Sequence, residues 1–199
     1  MDIQNKRVIV TGSASGIGAS AVKALVAAGA KVAALDLNDE AGRNVAAEAS
    51  AKGPGVAHYF RCDVSQRAQV DDAFGAAVER IGGLDALVNI AGVERKSPAE
   101  SITQDDWDLM FDVNARGTLN TNQAAFVHLK ERGGHIVNFA SAAGVMGVPG
   151  LAHYSAAGGD GLVDARRSLA DHRSGRLEHA AGDRRIHVLR RPATRSAHR

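Results

Sequence analysis

Residues 7–29 read RVIVTGSASGIGASAVKALVAAG, and the reading of this stretch decides the fold. RVIVTG is a short apolar, β-branched run closed by a glycine turn, the mark of a buried strand, and from Gly16 onward the apolar residues recur with helical spacing until Gly29. Gly12, Gly16 and Gly18 lie between the two elements. Glycines there let the backbone turn tightly and approach a pyrophosphate, whose charge is favoured by the free amides and dipole at a helix start. The spacing is GxxxGxG rather than GxGxxG. Glycines near a turn are often turn residues and nothing more, but the strand before and the helix after supply the context that a phosphate-binding loop needs.

Outward from this stretch the pattern repeats. KVAALDL (31–37) is a second strand, DEAGRNVAAEASAKG (39–53) a helix, VAHYFRCDV (56–64) a third strand, SQRAQVDDAFGAAVERIGG (65–83) a helix and LDALVNIAG (84–92) a fourth strand. A loop around Pro98 leads to a long helical region from about Thr103 to Arg132, and GHIVNFAS (134–141) is a fifth strand. Strands alternating with helices of this length need crossover connections, which implies a parallel sheet covered on both faces. The expected architecture is a doubly wound, Rossmann-type three-layer α/β/α fold in a single domain, with ligands beyond the carboxyl ends of the strands.

Composition narrows the function classes. A chain of 199 residues with 45% apolar content fits one soluble domain. No run of eighteen apolar residues could span a bilayer, and MDIQNKRVIV lacks the features of a secretory signal, so the expected location is cytoplasmic, with no membrane partner. Cys62 is the sole cysteine and the eight histidines are scattered, so neither a disulfide nor a metal site is expected.

Charge is uneven along the chain. Residues 1–158 hold 14 Lys plus Arg against 17 Asp plus Glu, whereas residues 159–199 hold 10 Arg and no Lys against 5 acids. The Arg-rich tail carries no aromatic residue for base stacking, so a nucleic-acid partner is not expected. The abrupt change marks a boundary near residue 158, and the chain is expected to divide into residues 1–157, a Rossmann-type domain, and residues 158–199, an atypical C-terminal segment.

Asp36, at the end of the second strand, has a carboxylate suited to accept hydrogen bonds from adenosine ribose hydroxyls and to repel the extra phosphate of NADP. Leu37 follows it, offering no arginine to that phosphate. The expected cofactor is NAD.

The ordered motifs resemble those of the short-chain dehydrogenases and reductases. TGSASGIG is similar to the family's cofactor loop, and the resemblance implies cofactor contacts from Gly12, Ser15, Gly16, Ile17 and Gly18. CDV (62–64) looks like its adenine-contacting turn, with Asp63 facing the adenine amino group and Val64 its ring. NIAG (89–92) is similar to the family's NNAG, so that Asn89 and the backbone of Ala91 and Gly92 border the cofactor. DVNARG (112–117) places Asn114 at the family's catalytic asparagine, NFASAAG (138–144) supplies Ser141, and YSAAG (154–158) supplies Tyr154. The reaction so implied is hydride transfer between the nicotinamide and a secondary alcohol or ketone. Tyr154 is the expected general acid or base, also bordering the cofactor, Ser141 the hydrogen-bond donor to the substrate oxygen, and Asn114 the holder of a relay water.

One family residue is missing. A phenol with a pKa near 10 is almost wholly protonated at neutral pH, and a lysine four residues on would stabilise the phenolate. Gly158 stands there instead. The alternative reading is therefore a catalytically silent NAD-binding module. Beyond Ala157 the family pattern breaks off while arginine content rises, and the chain ends short by family measure, as a shifted reading frame late in a gene would produce. Family members pair through long helices, so a dimer or tetramer is expected if the helix at Tyr154 forms.

Overall fold

In a computed structural model of the chain, residues 3–158 are described. Five strands form one parallel sheet: β1 (Arg7–Thr11), β2 (Lys31–Asp36), β3 (Val56–Arg61), β4 (Ala86–Asn89) and β5 (His135–Asn138). Their order is β3-β2-β1-β4-β5. Helices α1 (Gly16–Ala27), α2 (Asp39–Lys52) and α3 (Arg67–Ile81) make the first crossovers, and α4 (Gln104–Met110) and α5 (Gly117–Leu129) join β4 to β5. This is the Rossmann-type sheet expected from the alternating pattern.

β1 is buried on both faces because side chains alternate across a strand. Val8 and Val10 join Val22, Val26, Val32 and Ala46 in a core beneath α1 and α2, while Ile9 joins Leu35, Phe74, Leu87, Ala125 and Ile136 beneath α3 and α5. Each fully buried Val, Ile, Leu or Phe contributes about 1.5–3 kcal/mol relative to exposure, so the glycine loop after β1 leaves from the most strongly held point of the sheet. Arg7 ties β1 to the approach to β4 from below: its Nε and Nη2 donate to the Asp85 carboxylate at 2.8 and 2.6 Å, and its backbone N–H does so at 2.9 Å.

The helix starts follow local chemistry. Asn38 caps α2 by accepting from the Ala41 amide, and Asp39 and Glu40 in the first turn favour the positive end of the dipole. Thr103 caps α4 by accepting from the Asp106 amide.

Four expectations are corrected: β3 ends at Arg61 rather than at residue 64, β4 runs over Ala86–Asn89 rather than 84–92, and the long helix and the fifth strand differ as follows. The long helix is divided, with residues Phe111–Arg116 forming a π-helical turn between α4 and α5. The wider i→i+5 ring keeps the chain helical on both sides, so a helical reading runs through it, and the shift in phase over so short a turn does not mark a break. The fifth strand ends at Asn138, earlier than expected, because after the Phe139 N–H bonds the Asn89 carbonyl the chain leaves the sheet and Phe139 becomes half exposed.

Candidate active site

β1 occupies the middle of the sheet, with β2 on one side and β4 on the other. The chain thus switches direction of travel across the sheet between β3 and β4, and the crevice at that switch opens beyond the carboxyl ends of β1 and β4. The glycine loop borders it. Gly12 has φ +67°, and a Cβ on Gly18 would lie 1.9 Å from the Gly12 carbonyl oxygen, so the loop closes on itself only because both lack side chains. Gly16, at φ +50°, meets nothing within 4 Å and faces the opening. Ser15 at the N-cap is extended and makes no side-chain cap bond, so the first internal acceptor is its carbonyl, taken by the Ala19 amide, and the Gly16, Ile17 and Gly18 amides have no side-chain cap. Ile17 beside them is 63% exposed. An uncovered helix start under an open glycine fits a diphosphate.

Asp36 spans the loop and the neighbouring strand end. Its Oδ2 accepts from the Ala14 amide at 2.9 Å and its Oδ1 from the Asn38 amide at 3.0 Å. A carboxylate offers about four acceptor positions, so this tether leaves acceptor capacity for ribose hydroxyls. The backbone after it is gripped from β3: the Tyr59 hydroxyl lies 2.8 Å from both the Asp36 carbonyl and the Asp39 carboxylate. Burial, then the Asp39 hydrogen bond, raises the Tyr59 phenol well above its ordinary value. The Tyr59 hydrogen bond, and next the charge of Arg61, hold Asp39 below the usual carboxylate value.

On the adenine side, Asp63 accepts from the Ser65 amide and hydroxyl at 2.9 and 2.7 Å through one oxygen, leaving the other unengaged by these bonds. The Val64 side chain is expected against the adenine ring but is 7% exposed and packed into the α3/α5 core, where a Cβ on Gly117 would approach it to 2.7 Å. Its side chain is therefore spent on packing. Cys62 is buried, and burial pushes its thiol up to about 12, which keeps it protonated and unreactive at neutral pH.

Asn89, which the resemblance implies steadies the central strands, is the centre of a buried polar network whose partners sequence patterns do not disclose. Its Oδ1 lies 3.3 Å from the Thr11 hydroxyl, and its Nδ2 donates to Asn138 and Asn122, each at 2.9 Å. Thr11 Oγ1 also accepts from the Ile90 and Ala91 amides at 3.1 and 3.2 Å. Thr11 and Asn138 are fully or almost fully buried, so each lost partner would cost about 1–3 kcal/mol. The network joins the ends of β1, β4 and β5 where the strand ladder stops. Gly92 then lies against Asn114, whose Oδ1 a Cβ would approach to 3.1 Å.

Asn114 sits in the π-helical turn. Its side chain pairs with both backbone groups of Val93, accepting from the N–H at 2.8 Å and donating to the carbonyl at 2.9 Å. Its own carbonyl accepts from the Thr118 hydroxyl at 2.7 Å. The amide side chain is committed to holding the loop after β4.

Ser141 follows β5 at the same edge of the sheet. Its Oγ accepts from the Ala143 amide at 3.2 Å, a bond that leaves the hydroxyl proton to donate elsewhere. The loop that follows is fastened to the loop after β4 by the Ser97 N–H to Gly150 carbonyl bond of 2.9 Å, and residues 152–158 are helical. Tyr154 in that helix is half-buried. His153 is fully buried, with neither ring nitrogen bonded among the described residues. Gly158, one turn beyond Tyr154, is half-buried, and a Cβ there would meet nothing within 4 Å. No lysine or arginine occurs between Gly133 and Gly158. Residues 159–199, including the Arg-rich segment, lie outside the described residues.

A switch-point crevice with an open glycine loop defines a dinucleotide-binding Rossmann protein. The family model for short chain dehydrogenase matches residues 6–172, extending past Ala157, where the sequence reading ends the resemblance. A 2,5-dichloro-2,5-cyclohexadiene-1,4-diol dehydrogenase of Sphingobium indicum is 41% identical over 151 residues, 74% of this chain and 59% of that protein. A D-threitol dehydrogenase of Mycolicibacterium smegmatis is 39% identical over 176 residues, 87% of this chain and 66% of that protein. A crystal structure of a short chain dehydrogenase from Mycobacterium smegmatis superposes with a TM-score of 0.82 at 29% identity, covering 86% of this chain and 72% of that one. The chain belongs to the short-chain dehydrogenase family, an oxidoreductase family that binds nicotinamide cofactors. It spans about three fifths of the length of the first of these relatives.

Proposed function

We propose that the chain binds NAD(H) and interconverts a secondary alcohol and a ketone, with residues 1–157 as the working unit and the cytoplasm as its location. The observation that carries the cofactor reading is Asp36, tethered by two amides at the corner beside the open start of α1. In this reading the amides of Gly16, Ile17 and Gly18 hold the diphosphate, with Gly12 and Ser15 shaping the loop. Asp36 accepts from the adenosine ribose, and Asp63 accepts from the adenine amino group. Asn89, Ala91 and Gly92 form the wall beneath the nicotinamide half. The bound nicotinamide supplies or accepts the hydride. The Ser141 hydroxyl donates to the substrate oxygen and stabilises charge developing on it, while Tyr154 Oη gives or takes the proton of that oxygen. Asn114 steadies the loop after β4 through Val93 and holds a relay water. Relatives named as dehydrogenases of a cyclohexadienediol and of D-threitol support an alcohol as substrate class.

Gly158 favours a second reading, in which the chain binds the dinucleotide without turning it over. Gly158 puts no cation one turn from Tyr154, the place from which a positive charge would favour a phenolate. Calorimetric titration with NAD, NADH and NADP, combined with NADH formation across a panel of secondary alcohols, separates the two. The oxidoreductase reading expects tighter NAD than NADP binding and measurable turnover of at least one alcohol. Binding without turnover selects the silent module, and absence of any dinucleotide binding to folded protein refutes both.

A further inference from the structure

Asp36 and Arg61 are register partners at the carboxyl ends of β2 and β3, so residues of opposite charge end adjacent strands about 5 Å apart. Their observed partners differ. The Asp36 carboxylate turns to the Ala14 and Asn38 amides. Arg61 Nη1 donates to the Leu37 carbonyl at 2.7 Å and lies 3.5 Å from Asp39 Oδ1. Leu37 is the residue directly after Asp36, so the guanidinium rests against the corner where a ribose would meet the carboxylate. The Arg61 side chain is 58% exposed, and a guanidinium carries five N–H donors, so most remain available. A second cation, Arg43, stands at the same corner, 5.5 Å over the ring of Tyr59, whose hydroxyl reaches Asp39, but among the described residues it has no hydrogen bond to the Asp36–Leu37 backbone as Arg61 has.

We propose that Arg61 is a latent receptor for the 2′-phosphate of a phosphorylated adenosine, held silent by the charge of Asp36 and by its own pairing with Asp39. This rests on the cofactor reading above and deepens it: preference between NAD and NADP is set by competition between two carboxylates and Arg61, not by Asp36 alone. A planar guanidinium matches phosphate geometry, and an ion pair at an exposed corner is weak enough to be exchanged for a phosphate.

The test is calorimetric titration of NAD, NADP and adenosine 2′-monophosphate into the wild type, Asp36→Asn, Asp36→Asn/Arg61→Ala and Asp36→Asn/Arg61→Lys. Asp36→Asn should tighten NADP and adenosine 2′-monophosphate by about tenfold, the size expected of a charge-assisted phosphate contact. Adding Arg61→Ala should remove most of the gain, leaving only what relief of repulsion from Asp36 gives, and Arg61→Lys should keep part of it. Equal NADP affinity in Asp36→Asn and Asp36→Asn/Arg61→Ala overturns the proposal. Should loss of the Asp36 tether unfold the loop, Asp39→Asn with and without Arg61→Ala replaces the pair. A several-fold rise in NADP affinity only when Arg61 is present supports the proposal, and a rise independent of Arg61 defeats it. A folded wild type that binds neither dinucleotide refutes the cofactor reading and this inference with it, an outcome distinct from NAD binding with no role for Arg61.

Discussion

Gly158→Lys tests whether this fold has a sound phenol that lacks only its cation. Position 158 is helical and half-buried, and a Cβ there enters open space among the described residues. Side chains one turn apart on a helix are neighbours, so the ammonium can be brought to about 5 Å from the Tyr154 oxygen. At an effective dielectric of about 20, that places roughly 3 kcal/mol between ammonium and phenolate. Because Tyr154 is only partly buried, solvent screening lowers this to about 1.5–2 kcal/mol, or a phenolate population raised about ten- to thirtyfold. The assay is the near-ultraviolet absorbance of tyrosinate on raising the pH. The chain has only two tyrosines, and Tyr59→Phe makes the signal report on Tyr154 alone. The comparison is Gly158→Met, which matches lysine in length and in helix propensity, so stability changes cancel. The tyrosinate midpoint should fall by about one pH unit in Gly158→Lys relative to Gly158→Met, and NADH formation at neutral pH should rise in proportion. Identical midpoints in two folded variants would refute the reasoning, because the space at Gly158 would then not lead to the phenol.

Gly18→Ala and Gly16→Ala should separate packing from binding: the first drives a Cβ to 1.9 Å from the Gly12 carbonyl and should lower stability by several kcal/mol, while the second, at φ +50° in open space, should cost about 1 kcal/mol and chiefly weaken NAD binding; thermal melts and calorimetry read the two effects. Asp85→Asn should lower stability at neutral pH by about 1–2 kcal/mol, since the Arg7 hydrogen bonds hold the Asp85 carboxyl below its ordinary value. A carboxyl depressed in the folded state adds stability that is fully present above about pH 4 and is lost as the pH falls through the lower folded-state value, so urea midpoints of wild type and variant should converge in acid.

The crossover pattern, the parallel sheet and the glycine loop were legible because each is written locally, in a β-branched run, a helical period or a turn. Positions of Asp36, Ser141 and Tyr154 at the sheet edge or in the helix beyond it follow from the same pattern. What sequence could not disclose lies between elements. Thr11 looks like the polar end of an apolar strand, yet its hydroxyl meets groups 78 to 80 residues away. Arg61 escapes notice because recognition of a phosphate-binding arginine looks directly after Asp36, whereas strand register brings this one in from β3. The π-helical turn is too short for its phase shift to stand out from the helical pattern around it, and the commitment of the Asn114 amide to Val93 depends on a loop whose path no periodicity encodes.

The placement of β1 at the middle of the sheet also gives the chain an order of assembly. β1 takes its first neighbour from residues 31–35 and β2 takes its own from 56–61, but the other flank of β1 waits for residues 86–89 and β4 for 135–138. Loop closure costs more for the later pairings. During synthesis the half carrying Asp36, Arg61 and the open start of α1 therefore emerges and pairs first, and the half carrying Ser141 and Tyr154 is laid against an edge that already exists.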